Sequence, residues 1–371
     1  MPLNLKEFSA NTKQMSLETI AASVRNLRNR VVLNTNFWRE QEYIPDPRHM
    51  LCVETTSLCN LKCKFCAYSK KQSARMSMSN EDFSGYINQA TAMGFSRFQL
   101  TPCTGDVFMD KHFLAKLEFL ETHEQVDGYE FFTNFTLPKA ETIERLATLA
   151  KLTSLNISIY GHNPDSFVAI TKSTEKVYSK LVENLSTLFK IHEKFGEKLS
   201  FGFRSYRHVP SADSSDLLKM LEQFRNSGVT VRTSRIYNNW GGYITNEDVR
   251  GLDMQITESN STYKKGACSL LFNQVQVTAS GIVNACACRD VDHTLKIGDL
   301  NDTTLAEILS PLNESYMQII NEQQEGRFRK ICQNCDFYKS IYRRRSGHGP
   351  SDPPLLKMPQ FHERIAKVSP E

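Results

Sequence analysis

Three cysteines, Cys59, Cys63 and Cys66, stand at a C-x3-C-x2-C spacing on one short stretch of this 371-residue chain. The apolar run Met50-Leu51-Cys52-Val53 precedes them closely. Thiolates this near each other in sequence can converge on one soft metal centre, because iron–sulfur clusters are held by cysteine sulfur on short loops. A zinc site wants four ligands, usually as two separated pairs. His49 and Cys52 lie at the start of the preceding strand, where they are poorly placed to complete a tetrahedron. A 4Fe–4S cluster with three protein ligands leaves one iron open to a small molecule, and that makes the centre catalytic rather than structural.

A second cysteine group consists of Cys268, Cys286, Cys288, Cys332 and Cys335. Residues 273–283 alternate apolar and polar around Ser280-Gly281, the pattern of a β-hairpin. Cys268 and Cys286 flank the open end of that hairpin, and Cys332-x2-Cys335 forms a knuckle. The four can meet around a cluster or, equally on spacing alone, around a structural zinc. Cys288, Cys103 and Cys52 are left over; Cys52, on a strand, reads as core.

The elements that must position these residues alternate regularly. Strands are expected at the run carrying Val53 and at 97–101, 129–133, 154–158, 199–204 and 230–235. Helices are expected at 80–93, 111–123, 139–150, 173–195 and 213–227, with short helices at 304–309 and 316–324. Strands separated by helices mean right-handed βαβ units and a parallel sheet. Six strands fall short of the eight of a closed barrel. An N-terminal amphipathic helix at 16–30, with Leu17, Ile20, Val24 and Leu27 on one face, is expected to cover the outside of the main domain.

Composition sets the outer limits. Lys and Arg number 45 against 41 Asp and Glu, a net charge of +4 with both signs mixed, which argues against a nucleic-acid footprint. No stretch approaches the roughly 18 consecutive apolar residues of a membrane span. The N-terminus lacks a basic-then-apolar signal pattern, so a cytoplasmic protein is expected. Ten cysteines in such a chain read as metal ligands rather than disulfides.

The triad with Phe65 before its last cysteine resembles the radical S-adenosylmethionine (SAM) superfamily. In that family the open iron chelates SAM, and electron transfer cleaves SAM to methionine and a 5′-deoxyadenosyl radical that abstracts hydrogen from substrate. The resemblance implies an α/β fold, a partial (β/α)6 TIM-like barrel, with the working residues on loops at the C-terminal strand ends. The family's Gly-Gly-Glu-Pro after the second strand is here Thr104-Gly105-Asp106, in which Gly105 permits close backbone approach and Asp106 keeps a carboxylate for SAM's ammonium. Thr133-Asn134 resembles the family's Thr-Asn-Gly, with Phe135 in place of the glycine. Ser158 ends the fourth strand among ribose-binding positions, and Arg204 ends the fifth, placed to pair a carboxylate.

Cys268-x12-Gly281-x4-Cys286 matches the opening of the SPASM domain attached to many such enzymes, and the absence of a cysteine after Cys335 resembles the shorter twitch domain with one auxiliary 4Fe–4S cluster. The expected organisation is an N-terminal helical extension (1–45), the barrel (46–240), a β-hairpin/helix auxiliary-cluster domain (241–345) and a tail (346–371). The resemblance points to hydrogen abstraction from a carbinol carbon of a small sugar or cyclitol. Epimerisation is favoured over dehydrogenation because Cys288 or Cys103 can return a hydrogen. Two features favour a small substrate over a peptide, namely the short cluster complement and an N-terminal segment of 45 residues, too short for a leader-binding winged domain. A peptide-modifying enzyme and a non-catalytic electron carrier are the alternatives. An external reductant such as flavodoxin or ferredoxin is an expected partner.

Overall fold

The computed structural model describes residues 24–367 apart from 25, 210–214, 259–261, 346, 347, 350 and 351. Its organising feature is one sheet in the strand order β6-β5-β4-β3-β2-β1-β7-β8-β9. The first six strands are β1 (Leu51–Val53), β2 (Arg97–Gln99), β3 (Gly128–Thr133), β4 (Leu152–Tyr160), β5 (Leu199–Arg204) and β6 (Thr230–Ser234), each parallel to its neighbour. Helices connect them, as parallel pairing requires a crossover. The exposed β6 forms one edge of the array and never returns to β1, so the barrel stays open.

At the other edge, β7 (Gln276–Val277) pairs parallel to β1, with Cys52 opposite Gln276. A hairpin then leads to β8 (Ile282–Asn284) and β9 (Lys296–Asp299), both antiparallel. The C-terminal module therefore extends the barrel sheet, which fixes its cysteines relative to the triad. Gly281 turns the hairpin at φ +87°, a conformation that glycine tolerates.

Burial follows the pleat. Alternate residues of β4 and β5, among them Leu155, Ile157, Phe201 and Phe203, are buried against helices Pro164–Thr171, Glu175–Phe189 and Asp216–Asn226. The expected helix over 173–195 is in fact Glu175–Phe189, followed by a 3-10 segment, His192–Lys198, kinked at Gly196. A separate helix precedes it at Pro164–Thr171, which the sequence reading did not separate. Asn163 and Ser166 cap that helix reciprocally, Pro164 occupies its first turn, and Lys172 in the left-handed region stops it.

The N-terminal expectation needs correcting. Leu17 and Ile20 lie outside the described residues, while Val24 and Leu27 are 60% and 64% exposed. The helical residues 26–38 instead lie along the C-terminal module. Leu33 is buried, the rings of Phe37 and Tyr342 meet at 5.1 Å, and Asn36 donates to the Tyr342 carbonyl. Among the described residues, Val24 and Leu27 are thus not on the face that packs.

Candidate active site

The cysteine loop is held from below by the C-terminal end of helix Pro164–Thr171. Lys62 N–H donates to the Thr171 carbonyl at 3.0 Å and Lys64 N–H to that of Ile170 at 2.9 Å. These are carbonyls that a helix end leaves without intrahelical partners. Cys66 N–H closes a turn onto the Cys63 carbonyl. Phe65 is buried between Tyr160 and Tyr237, with ring centroids 4.7 and 4.6 Å away. That stack anchors the residue between Cys63 and Cys66.

A second loop, following β2, sits directly against this one. Gly105 has φ +110°, and a Cβ there would meet the Thr56 carbonyl oxygen at 2.4 Å. The next residue's N–H donates to the Leu58 carbonyl at 2.8 Å. Glycine is therefore required for the two loops to touch. The Asp106 carboxylate is buried and already engaged. It accepts from Asn134 N–H at 2.7 Å, Phe108 N–H at 3.1 Å and the Thr133 hydroxyl at 3.0 Å. Burial raises its pKa and those three donors oppose the rise. The sequence offered this carboxylate to SAM's ammonium; in the structure Asp106 lines the cleft and also ties the β2 loop to the end of β3.

Asn134 extends the same network. Its amide donates to Asn60 Oδ1 at 2.9 Å and approaches Cys59 Sγ at 3.9 Å. Phe135, where the family places glycine, keeps a left-handed φ of +58° and is fully buried.

These loops and the C-terminal module enclose a cleft of about 390 Å3. Cys59, Cys63 and Cys66 line it, together with Phe65, Thr104, Gly105, Asp106, Asn134, Ser158 and Arg204. Cys103 and Cys288 line it as well. Thr104 is buried and its hydroxyl has no hydrogen-bond partner among the described residues. Burial pushes the Cys59 thiol up to about 12 and Cys66 to about 11. Cys63 moves further in the same direction, and Cys66 and Cys59 add to its rise. Thiols that oppose one another's ionisation in a dry pocket fit a donor set completed by cationic iron, which holds such thiols deprotonated.

Cys268, Cys286, Cys332 and Cys335 do not line the cleft; they lie behind it. Each sulfur accepts one N–H: from Lys339 to Cys268 at 3.5 Å, Cys288 to Cys286 at 3.4 Å, the Gln323 amide to Cys332 at 3.3 Å, and Phe337 to Cys335 at 3.3 Å. N–H groups aimed at sulfur are the outer-shell contacts that tune iron–sulfur centres. This donor set fits an auxiliary cluster. Among the described residues no three His, Cys, Asp or Glu side chains are close enough to hold a single metal ion. The four are nonetheless near enough to act on one another: burial raises the pKa of Cys286, Cys332 and Cys335, and Cys268 adds to each rise.

Several cleft residues escaped the sequence reading. Arg289 lies between Trp240 and Phe337, 5.5 and 4.7 Å from their rings, and pairs with Asp336 at 3.4 Å. Its Nη1 donates to Cys288, at 2.8 Å to the carbonyl and 3.2 Å to the sulfur. Gln99, Thr101, Asn238 and Gln274 also face the space. Of these, only Arg289 carried a usable signal, a cation directly after a Cys-x-Cys. Trp240, Gly241 and Gly242 form a turn with φ of +52°, +64° and +93°. It packs on helix Lys330–Asn334, which carries Cys332.

Comparison with known proteins agrees with this geometry. The Radical SAM superfamily model matches residues 53–251, more than half of the chain, and the SPASM model, an iron–sulfur cluster-binding domain, matches residues 268–336. No curated protein sequence matches. Among solved structures, BtrN in complex with AdoMet and 2-DOIA is similar at a TM-score of 0.51 and 15% identity, covering 79% of this chain and 94% of that one. Streptococcus suis SuiB bound to precursor peptide SuiA gives 0.48 and 14%, covering 85% and 76%. anSMEcpe with bound AdoMet and Cp18Cys peptide gives 0.47 and 14%, covering 85% and 95%.

Proposed function

We propose that this chain, which belongs to the radical SAM superfamily, inverts a carbinol carbon of a small sugar or cyclitol, with Cys288 returning the hydrogen atom. The family's cofactors are SAM and a 4Fe–4S cluster, with auxiliary iron–sulfur clusters implied by the SPASM domain. In this reading Cys59, Cys63 and Cys66 hold the SAM-binding cluster, and Cys268, Cys286, Cys332 and Cys335 an auxiliary one. When bound, SAM supplies a 5′-deoxyadenosyl radical on one-electron reductive cleavage, and that radical takes hydrogen from substrate.

The residues of the chain divide the remaining work. Arg204 faces a carboxylate from the end of β5, and Thr104, Gly105, Asn134 and Ser158 shape the seat for SAM. Asp106 holds that seat in place. Arg289 and Phe337 from the module and Trp240 from the turn after β6 wall the cleft. No cysteine follows Cys335, and that short cluster complement supports a small substrate over a peptide.

The observation that carries the reading is the pair of spare thiols on the cleft wall. Burial raises the pKa of both Cys288 and Cys103. That direction favours the S–H form, which a hydrogen-atom donor needs. In the step itself the Cys288 S–H bond breaks and a C–H bond forms on the face opposite the abstraction. One electron and one proton then restore the thiol. All ten cysteines are unpaired, which suits a cytoplasmic protein served by a low-potential reductant.

The test is to reconstitute the clusters anaerobically and supply SAM, dithionite and a panel of sugars and cyclitols in deuterated water. One solvent deuterium at an inverted carbon is the expected result. A ketone without solvent deuterium would make the enzyme a dehydrogenase. Turnover of peptides alone would move it to peptide modification, and no 5′-deoxyadenosine at all would leave an electron carrier.

A further inference from the structure

Behind the auxiliary cysteines, on the side away from the cleft, a groove of about 400 Å3 runs between the N-terminal helical residues and the C-terminal module. Lys339, Arg343, Arg344 and Arg345 line it. None of the four is within ion-pairing distance of an Asp or Glu among the described residues. Their contacts are neutral or aromatic. Lys339 lies 4.3 Å from the Phe337 ring, Arg343 donates to Asn29, and Arg345 donates to Ser269 and Asn273. The buried Nε of Arg345 has no hydrogen-bond partner among the described residues. Four adjacent cations without counter-ions form a local positive field on a chain whose charges are otherwise balanced.

The position of this groove is what gives it meaning. Phe337 lines the cleft, whereas Tyr338 and Lys339 line the groove. The backbone of Lys339 donates to Cys268 Sγ, and Arg345 bonds to the neighbouring Ser269. The auxiliary cysteines thus lie between the cleft, reached through Cys288 and Phe337, and a basic surface open to solvent.

We propose that this groove docks an acidic one-electron carrier protein, so that electrons reach the auxiliary centre here rather than through the cleft. The inference rests on the assignment of Cys268, Cys286, Cys332 and Cys335 to an auxiliary cluster. One electron leaves the carrier and enters that centre; no bond is made or broken and no proton moves. In the proposed reaction that electron passes on to the Cys288 thiyl, which takes up one proton from solvent as its S–H bond re-forms. A nucleic acid or an acidic peptide would use the same charges, but neither has a reason to sit over a redox centre.

The test uses the reconstituted full-length protein with an acidic flavodoxin as probe. Binding is measured by anaerobic calorimetry across ionic strength, and electron transfer by stopped-flow oxidation of the flavodoxin hydroquinone. The expected result for Arg343→Glu/Arg344→Glu is a Kd weakened about tenfold at low salt, with slower electron transfer and a flatter salt dependence. Dithionite-driven SAM cleavage should be unchanged. Arg344→Glu alone, at an exposed side chain, should move the Kd in the same direction without touching the fold. Equal affinity and equal transfer rates in both variants overturn the docking site, as does selective binding of RNA or an acidic peptide in place of flavodoxin. Failure of the wild-type protein to cleave SAM with dithionite would instead count against the proposed activity, because flavodoxin binding is read independently.

Discussion

The backbone N–H of Cys288 donates to the sulfur of Cys286 at 3.4 Å. A thiol that lines the cleft and a thiol of the auxiliary set therefore hang from one three-residue turn. Because β7 pairs with β1, that turn is held above the strand that leads into the Cys59–Cys66 loop. Cys288 thus shares the cleft lining with Cys59, Cys63 and Cys66, more than 200 residues before it in sequence, while the auxiliary set lies behind that wall.

Replacing Cys59, Cys63 and Cys66 together with Ala should remove about four irons per chain and abolish SAM cleavage. The remaining auxiliary set should keep its own iron, because its N–H···S contacts come from residues of the C-terminal module. Iron analysis and 5′-deoxyadenosine formation check this. A triple variant that still cleaves SAM rejects the assignment.

The wild-type protein should carry about eight irons and no stoichiometric zinc. One zinc with about four irons would make the C-terminal module a structural zinc domain, which the spacing of its cysteines alone permits.

The triad, the six parallel strands and the hairpin were legible because each is a local pattern. Thiols share one loop, apolar residues run in short strands, and Ser280-Gly281 marks a turn. The pieces that escaped are those made by docking. Arg289 and Gln274 join Cys63 in the cleft only because the hairpin adds to β1, and no sequence period records that pairing. Asp106 was legible as a carboxylate but not as one whose acceptors are occupied, since Thr133, Asn134 and Phe108 reach it from β3 and from its own turn. Helix Pro164–Thr171 was missed although its Asn163/Pro164 start is a local signal, and its role under the cysteine loop appears only in three dimensions.

Gly105→Ala puts a methyl group 2.4 Å from the Thr56 carbonyl oxygen at a φ of +110°. Backbone strain of this kind costs on the order of 1–3 kcal/mol. The urea midpoint should fall and SAM binding should weaken, while the iron of the auxiliary set stays. An unchanged midpoint together with unchanged SAM affinity would show that the two loops need not touch.

Glu54, fully buried at the seam between β1 and the hairpin, accepts from Gln276 Nε2 at 3.1 Å. Burial pushes its carboxyl up to about 7, against an ordinary value of 4.5. The folded state thus prefers the protonated acid. This contribution is complete below about pH 4.5 and is lost as the pH rises through about 7, since the unfolded chain gives up its proton first. The loss amounts to about 3 kcal/mol. Glu54→Gln should flatten the fall in stability across that window, read as urea midpoints from pH 5 to pH 8. An identical pH slope in the variant would assign the dependence to other groups.

The last prediction separates the two spare thiols. Cys288 keeps Arg289 within 3.2 Å of its sulfur, but that guanidinium is also held by Asp336 and by the Cys288 carbonyl. Cys288→Ala therefore leaves the cleft wall standing. With a turned-over substrate in deuterated water, this variant should still form 5′-deoxyadenosine yet lose the product deuterated at the inverted carbon. Cys103 sits in the left-handed region at φ +62°, where a side chain is strained. Cys103→Gly should raise the urea midpoint slightly and leave inversion intact if Cys288 is the donor. Loss of deuterium incorporation in the Cys103 variant, with retention in Cys288→Ala, assigns the transfer to Cys103. Full inversion in a Cys103→Ala/Cys288→Ala double variant rejects both thiols as the hydrogen donor, and a ketone without solvent deuterium rejects epimerisation itself.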